Sequence, residues 1–346
     1  MNSSKLSLVT GATGHVGYNL VSHLLEHGET VRAGARDLAK ARTVLAGLDV
    51  ETVRAELLDP ASLDQALTGV HTLYAVAASF RGWARDPARE IVQVNVEGTR
   101  NLMQAAARAG VRKIVYVSSM TTLDSSVQPF SAETWNPLHV NPYEYSKTEA
   151  EQLALRFAAE HELDISTILP GAIVGPGYAR PTDSTALFGA ILSGQLPIDP
   201  DLYLLVVDAR DVAAACYLAA TKGVNGARYI VSNPTPISTG QIVKIAQQVA
   251  PNRAIRTPRK LPKPLLLATA RASVLPARIM HRPPPMRPDI VQLYGHAPHL
   301  RADTSRTEQE LGLHVIPSEQ TIRDTIAYEL NRERRSAPTA VAAGTG

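Results

Sequence analysis

The sequence predicts an α/β protein: a Rossmann doubly wound parallel sheet joined to a smaller, mostly helical C-terminal lobe. Three observations point there. Short apolar runs alternate with helical patterns through the first half of the chain. A glycine-rich turn links the first of those runs to the first helix. Beyond about residue 170 the alternation loosens into helices separated by Pro- and Gly-rich connections. Strand–helix–strand repetition of this kind builds a parallel sheet covered on both faces.

Taken in order, the strand-like runs fall at residues 6–9, 30–33, 50–54, 72–77, 113–118 and 164–169, and the main helical patterns at 16–27, 61–67, 92–109 and 143–161. A further strand–helix unit returns at 204–220 and 229–231. The organisation that follows is a dinucleotide-binding domain over 1–170 plus about 204–233, and a substrate lobe over 171–203 and 234–333. The small and polar residues 336–346 read as a flexible tail.

Composition narrows the function. In 346 residues, 45% are apolar and 19% charged, which suits a globular chain with an ample core. The net charge of +3 is too close to neutral for a dedicated nucleic-acid binder. Cys216 is the single cysteine, so no intrachain disulfide forms, and the ten histidines lack metal-ligand spacing. No metal is expected. Neither a signal peptide nor a transmembrane run is expected either, so a cytoplasmic location is the natural reading.

Charge is unevenly spread. Residues 212–288 contain no Asp or Glu and hold twelve basic residues, leaving 23 basic and 32 acidic elsewhere. Within that interval, 261–281 combines Leu265, Leu266, Leu267, Leu275 and Met280 with Lys263, Arg271 and Arg278. It reads either as a solvated surface or as a peripheral contact with anionic lipid or an apolar partner.

The turn Thr10-Gly11-Ala12-Thr13-Gly14-His15-Val16-Gly17 ends the first strand and opens the first helix. Its glycines allow a tight turn, close approach to a pyrophosphate and close packing of helix on strand, while the helix N-terminus supplies free N–H groups. At the end of the second strand an acid would take the ribose hydroxyls of NAD, whereas an arginine would take the 2′-phosphate of NADP. Arg36 stands there with no carboxylate before it, and Asp37 suits the N-cap of the next helix. NADP(H) is therefore expected rather than NAD(H).

The second motif is Asn141-Pro142-Tyr143-Glu144-Tyr145-Ser146-Lys147, a helix start with Asn141 as N-cap and Glu144 at the capping-box position. Tyr143 and Lys147 share a helix face at i and i+4, and Tyr145 points elsewhere. A phenol beside an ammonium is expected to have its pKa lowered, so that it exchanges a proton with a carbonyl or alcohol oxygen near neutral pH. Ser119, after the strand ending in Ser118, is the candidate for holding that oxygen. Walls of the substrate site are sought among Phe80, Trp83, Met120, Trp135, Tyr178 and Phe188.

Together these residues resemble the extended short-chain dehydrogenase/reductase family over most of the chain, to about residue 330. The TGxxGxxG turn and the YxxxK pair are its two main signatures, with support from Asn95-Val96-Glu97-Gly98-Thr99, Gly175-Pro176-Gly177 and residues 208–213. Arg36-Asp37 and Trp135-Asn136-Pro137 point to the dihydroflavonol reductase-like branch, which includes 3β-hydroxysteroid dehydrogenases. The resemblance implies that Tyr143 donates the proton, Lys147 also holds the nicotinamide ribose, and Ser119 orients the carbonyl. It puts the coenzyme against Gly11, Thr13, Gly14, His15, Val16, Gly17 and Arg36, with Leu57 by the adenine. Val76 and Ala77 face the ribose and diphosphate, and Pro170 and Ile173 face the nicotinamide. Asn95 is expected to be structural. Departures from the family pattern are Glu56 where Asp is usual and Ala75 where His is usual.

The implied activity is NADPH-dependent carbonyl reduction, or the reverse alcohol oxidation, on a hydrophobic small molecule, with a homodimer common in the family. Sugar-nucleotide epimerases or dehydratases of the same fold, and NmrA-like NADP-sensing proteins, are the alternatives. Met120-Thr121 stands where dehydratases carry an acidic pair, and sensors commonly lose the Tyr and Lys kept here.

Overall fold

The computed structural model describes residues 5–80, 83–280, 283–284 and 286–336. Its first half alternates as β1 (Leu6–Thr10), α1 (His15–Glu26), β2 (Thr30–Ala35), α2 (Leu38–Val44), β3 (Glu51–Arg54), α3 (Pro60–Leu67), β4 (Thr72–Ala75), α4 (Val94–Arg108), β5 (Lys113–Val117), α5 (Pro142–Glu160) and β6 (Asp164–Pro170). Then follow β7 (Ala172–Val174), α6 (Asp183–Leu192), β8 (Ile198–Asp199), β9 (Tyr203–Leu204), β10 (Val206–Asp208), α7 (Ala209–Lys222) and β11 (Arg228–Val231). The chain continues through β12 (Ile237–Ser238), α8 (Thr239–Val249), β13 (Arg259–Lys260), α9 (Lys263–Ile279), α10 (Pro288–Tyr294) and α11 (Ser318–Ser336).

Seven strands form one parallel sheet in the order β11-β6-β5-β4-β1-β2-β3. The order reverses at β1, which lies between β2 and β4, so a crevice opens at their C-terminal ends. Both sheet faces are covered, which is why the central strands are apolar on both sides. Leu20, Leu24, Val212 and Cys216 pack one face, and Leu63, Leu102, Met103 and Ala154 the other.

Local chemistry sets the ends of these elements. Asp37 caps α2 by accepting from the Lys40 N–H at 3.0 Å, and Asn141 caps α5 by accepting from the Glu144 N–H at 3.0 Å. β4 stops at Ala75, two residues before the apolar run ends. The N–H groups of Val76 and Ala77 turn instead to Thr10 Oγ1, at 3.0 and 3.1 Å. The expected helix at 92–109 is α4 preceded by a π-helical segment, Ala88–Gln93.

The remaining elements form a body with three two-stranded pairs, β10 with β7, β12 with β9, and β13 with β8. Phe188, Ile191, Ile242, Ile322 and Ile326 make its core. The acid-free basic stretch draws its counter-charges from elsewhere: Arg228 pairs with Glu151, Arg253 with Glu333, and Lys260 with Asp201. Among the described residues no helix is long and apolar enough to cross a membrane, and no group of three potential ligand side chains could hold a metal ion. The expected tail beyond Ser336 lies outside the described residues, as does His281 of the 261–281 segment.

Candidate active site

The glycine turn is a backbone cradle. A Cβ on Gly17 would stand 2.2 Å from the Gly11 oxygen and 2.8 Å from Ala12 Cα, and one on Gly11 would stand 2.9 Å from Ala77 Cα. Gly11 also has φ +67°, which a side chain disfavours. Gly14 caps α1 without a side-chain bond, so the first N–H groups of the helix are left for an incoming acceptor. Thr13 is half-buried within the turn, and Val16 is buried behind it. Thr10 Oγ1, donating to the Tyr74 carbonyl at 3.2 Å, locks Val76 and Ala77 against the turn. These features fit the diphosphate of a dinucleotide.

Around the cradle, Leu57 is buried against Gly98 of α4, and its carbonyl accepts from Asn101 Nδ2 at 3.0 Å. Pro170 is buried at the end of β6, and Ile173 lies in β7. Arg36 is largely exposed, with Nε 3.7 Å from Glu56 Oε2, so its guanidinium is open to a phosphate. His15 does more than space the turn. Its Nε2 reaches the carbonyls of Gly175 and Pro176 at 3.1 and 3.0 Å, and its ring meets Tyr178 edge-on at 4.8 Å. Burial pushes its pKa down to about 4, so the ring is neutral and Nε2–H donates to those carbonyls.

Tyr143 and Lys147 lie on one face of α5, and Ser119 ends β5's extension opposite them. The Ser119 hydroxyl lies close enough to the Tyr143 phenol to act on its ionisation. Ser119 Oγ also accepts from Thr121 N at 3.2 Å and Thr121 Oγ1 at 3.0 Å. Lys147 is buried, with Nζ donating to the Val117 carbonyl at 3.0 Å and lying 5.5 Å from the centre of the Tyr116 ring. The structure thus brings the three sequence-predicted residues together.

Their ionisation differs from the sequence expectation. Desolvation pushes the Tyr143 phenol above the usual tyrosine range, and the nearby Ser119 only partly opposes it. Lys147 is itself lowered to about 8 by burial, with Glu151 pulling it back up. At Tyr143 desolvation is the largest effect. Tyr143 is therefore un-ionised at neutral pH.

The candidate walls separate. Phe80 is 46% exposed and meets Tyr143 edge-on at 5.2 Å. Trp135 lies beneath the Arg228 guanidinium, 3.8 Å away, and Trp83 is half-buried. Met120 and Phe188 are packed in hydrophobic cores, and Tyr178 is held by its bond to Glu329 at 2.6 Å. Asn95 is structural, since it accepts from Ser79 N at 2.7 Å and donates to Ser146 Oγ at 2.8 Å. Tyr145 is exposed, as its place on the helix predicts.

Sequence reasoning missed a cluster beside Tyr143. Tyr294 of α10 and Asp183 of α6 are close enough to act on the Tyr143 phenol electrostatically, as is Glu144. Asn141 Nδ2 donates to Glu144 at 2.9 Å and to Asp289 at 3.2 Å, and Arg287 binds Asp289 at 2.5 Å. Asp183 lies 40 positions from Tyr143, and Asp289 lies 148 from Asn141, so no local spacing announces these partners.

Comparison with known proteins agrees with this architecture. The family model described as "NAD dependent epimerase/dehydratase family" matches residues 7–232. The chain is 35% identical over 332 residues to "Sterol demethylase protein B" of Methylococcus capsulatus, covering 93% of this chain and 97% of that protein. It is 33% identical over 332 residues to a "Putative dihydroflavonol 4-reductase" of Synechocystis sp., with 93% and 94% coverage. The crystal structure of gox2253 superposes with a TM-score of 0.80 at 32% identity, over 96% of this chain and 99% of that one. Yeast methylglyoxal/isovaleraldehyde reductase Gre2 complexed with NADPH shares the fold at 19% identity, TM-score 0.76, with 95% and 99% coverage. With its glycine cradle, switch-point sheet and Tyr–Lys helix in place, the chain belongs to the NAD-dependent epimerase/dehydratase family, the extended short-chain dehydrogenases/reductases, whose members are nicotinamide-dependent enzymes.

Proposed function

We propose that this protein is an NADPH-dependent carbonyl reductase acting on a neutral, hydrophobic ketone or aldehyde, with the reverse alcohol oxidation available. The observation that carries the reading is the convergence of Ser119 on Tyr143, which shares a helix face with the buried, carbonyl-anchored Lys147. A phenol held protonated is a proton donor, which suits reduction.

Gly11, Thr13, Gly14, His15, Val16 and Gly17, Leu57, Val76 and Ala77, Pro170 and Ile173 would hold the coenzyme, which when bound would supply the hydride. Ser119 Oγ orients the substrate carbonyl. Tyr143 Oη passes its proton to the oxygen as negative charge grows there. The Lys147 ammonium, one turn along the same helix, steadies the phenolate left behind and would also hold the nicotinamide ribose. Arg36 selects the 2′-phosphate.

The relatives' names support a ring-bearing, uncharged substrate, since sterols and dihydroflavonols are both of that kind. Asp183, Asp289 and Glu144 gather beside Tyr143, and the nearby cation Arg287 is engaged by Asp289 and Asp183. Such a rim disfavours a nucleotide diphosphate, which weighs against the epimerase alternative. The retained Tyr and Lys weigh against an NADP sensor.

The test is a purified-protein screen of NADPH against NADH with aldehydes, ketones and sterols. Oxidation of NADPH by neutral carbonyls, with NADH at least tenfold poorer, is expected. Turnover of nucleotide sugars alone, or coenzyme binding with no turnover at all, would overturn the reading.

The outer face of α9 exposes Leu265 and Leu275 within the acid-free basic stretch, with Met280 exposed just beyond the helix. We propose that this face rests on an anionic bilayer, where such a substrate would dissolve. Co-sedimentation with phosphatidylglycerol vesicles but not phosphatidylcholine vesicles is expected; absence from both pellets ends this part of the proposal.

A further inference from the structure

The geometry points to a buried ion pair, Glu151 with Arg228, as the positioning unit that holds the reaction centre and one wall of the substrate site in register. Both side chains are buried, and neither belongs to the Ser119, Tyr143 and Lys147 group. This inference rests on the carbonyl-reductase reading for its kinetic arm.

Glu151 is the next residue on the face of α5 that carries Tyr143 and Lys147, at i+8 and i+4 from them, and its side chain is fully buried. One carboxylate oxygen accepts from the Ser118 hydroxyl and the other from Arg228 Nε at 2.6 Å. Ser118 is the residue before Ser119, so one end of the pair grips the immediate chain neighbour of the serine that faces Tyr143.

Arg228 starts β11, at the sheet edge beyond β6, and its guanidinium spends its remaining donors on a single neighbourhood. It donates to the Ala132 carbonyl at 2.6 Å, the Thr134 carbonyl at 2.8 Å and Thr122 Oγ1 at 3.0 Å. Its plane also lies 3.8 Å from the centre of the Trp135 ring. Thr122 Oγ1 in turn donates to the Ser119 carbonyl at 2.9 Å, and Asn136 Nδ2 bonds the Thr121 carbonyl at 3.0 Å. One planar fork therefore ties β11, the 119–122 turn and the 132–135 segment to α5. A lysine point charge could not make this set of bonds.

Stability alone is a poor account of such a pair. Burying two charges costs desolvation that their attraction does not reliably return, and well-packed apolar residues of similar size commonly serve the fold as well. What apolar residues do not supply is direction. Ser118, Thr122 and two carbonyls are each given a fixed partner, and Lys147 is given a carboxylate one turn away. The groups facing Lys147 are Glu151 on its own helix, with Tyr116 and the Val117 carbonyl on β5.

The decisive variant removes both charges together, Glu151→Leu with Arg228→Met, so that no orphan charge is left to unfold the chain. The melting temperature is expected to match wild type, and NADPH affinity to stay within about twofold. The carbonyl kcat should fall roughly 30-fold or more, because small misplacement of reacting groups is costly. Its alkaline limb should move to lower pH, since Lys147 loses the charge that favours its protonated form. Arg228→Lys should keep the alkaline limb of wild type yet still raise KM, having the charge without the fork.

Wild-type kcat and an unmoved pH profile in the double variant would overturn the inference. So would parallel losses of melting temperature, NADPH affinity and kcat, which describe a merely structural pair. A crystal structure of the double variant is the arm that needs no turnover. Displacement of Ser119 and residues 132–135 supports positioning, and superposition on the wild-type arrangement refutes it. An inactive wild type would thus defeat the functional reading while leaving this claim decided.

Discussion

The glycine turn at residues 10–17 and the Glu151–Arg228 unit under the reaction centre both hold positions for a ligand, by opposite means. The turn works with backbone, within eight consecutive residues, and its specification is the absence of side chains at three of them. The ion-pair unit works with side chains that join residues 33 to 106 positions apart. A backbone cradle tolerates almost no change at its glycines and asks of the distant chain chiefly the Val76–Ala77 backbone packed against it. A side-chain network tolerates local change better but depends on the whole sheet being assembled. Loss should therefore be abrupt in the first and graded in the second.

The largest expected effect breaks the turn. Gly17→Val puts carbon atoms where the Gly11 carbonyl stands, 2.2 Å from the ideal Cβ, and that carbonyl is backbone that cannot step aside. NADPH binding, followed by quenching of intrinsic fluorescence, should be abolished. Near-normal affinity would mean that the turn is not the cradle described.

A second effect sharpens the comparison, because His15 is the one side chain that the turn lends to the other lobe. Its pKa of about 4 in the native protein, against 6.5 when unfolded, comes first from burial. Above pH 6.5 neither state holds the proton. Between pH 6.5 and about 4 the unfolded chain takes it up and the native one does not, so stability falls through that window. The full difference is roughly 3 kcal/mol from this group. Urea midpoints at pH 7 and pH 4.5 should therefore diverge more in wild type than in His15→Gln; equal divergence in the two proteins would contradict the buried neutral ring.

Smaller again is the coenzyme preference. Arg36→Ala should raise the KM for NADPH about tenfold, or ~1.4 kcal/mol, and leave that for NADH unchanged. The gap should shrink in high salt, since this guanidinium is solvent-exposed. Smallest is the effect of Leu275→Asp on the outer face of α9, which should reduce co-sedimentation with phosphatidylglycerol vesicles by a few-fold while leaving turnover of a water-soluble ketone intact.

The same contrast explains what could be read from the sequence. The six expected strands of the first half are present, with ends shifted by up to two residues, because period and flanking turns are local. Asp37 and Asn141 cap their helices as their positions suggest, for the same reason. β7 was not legible: three residues beside Gly171, paired only with a strand more than thirty positions later, carry no period of their own. Phe188 and Met120 read as candidate walls because an aromatic or methionine looks the same in a core as in a cleft. Glu151 was hidden by its ordinary setting, a glutamate four residues past a lysine on a helix, which usually faces water. Its partner Arg228 lies 77 positions on, and the acid-free run around it suggested a solvated face rather than a buried fork. The depressed phenol pKa expected from the Tyr–Lys spacing failed because spacing does not report desolvation, which dominates at Tyr143.

The central claim is that the Tyr143 hydroxyl delivers the proton. It is tested most directly by single-turnover NADPH oxidation with a saturating ketone in wild type and Tyr143→Phe, together with NADPH affinity in both. The account predicts unchanged affinity and a rate lowered by about a hundredfold or more. A Tyr143→Phe protein that oxidises NADPH at the wild-type rate would contradict it.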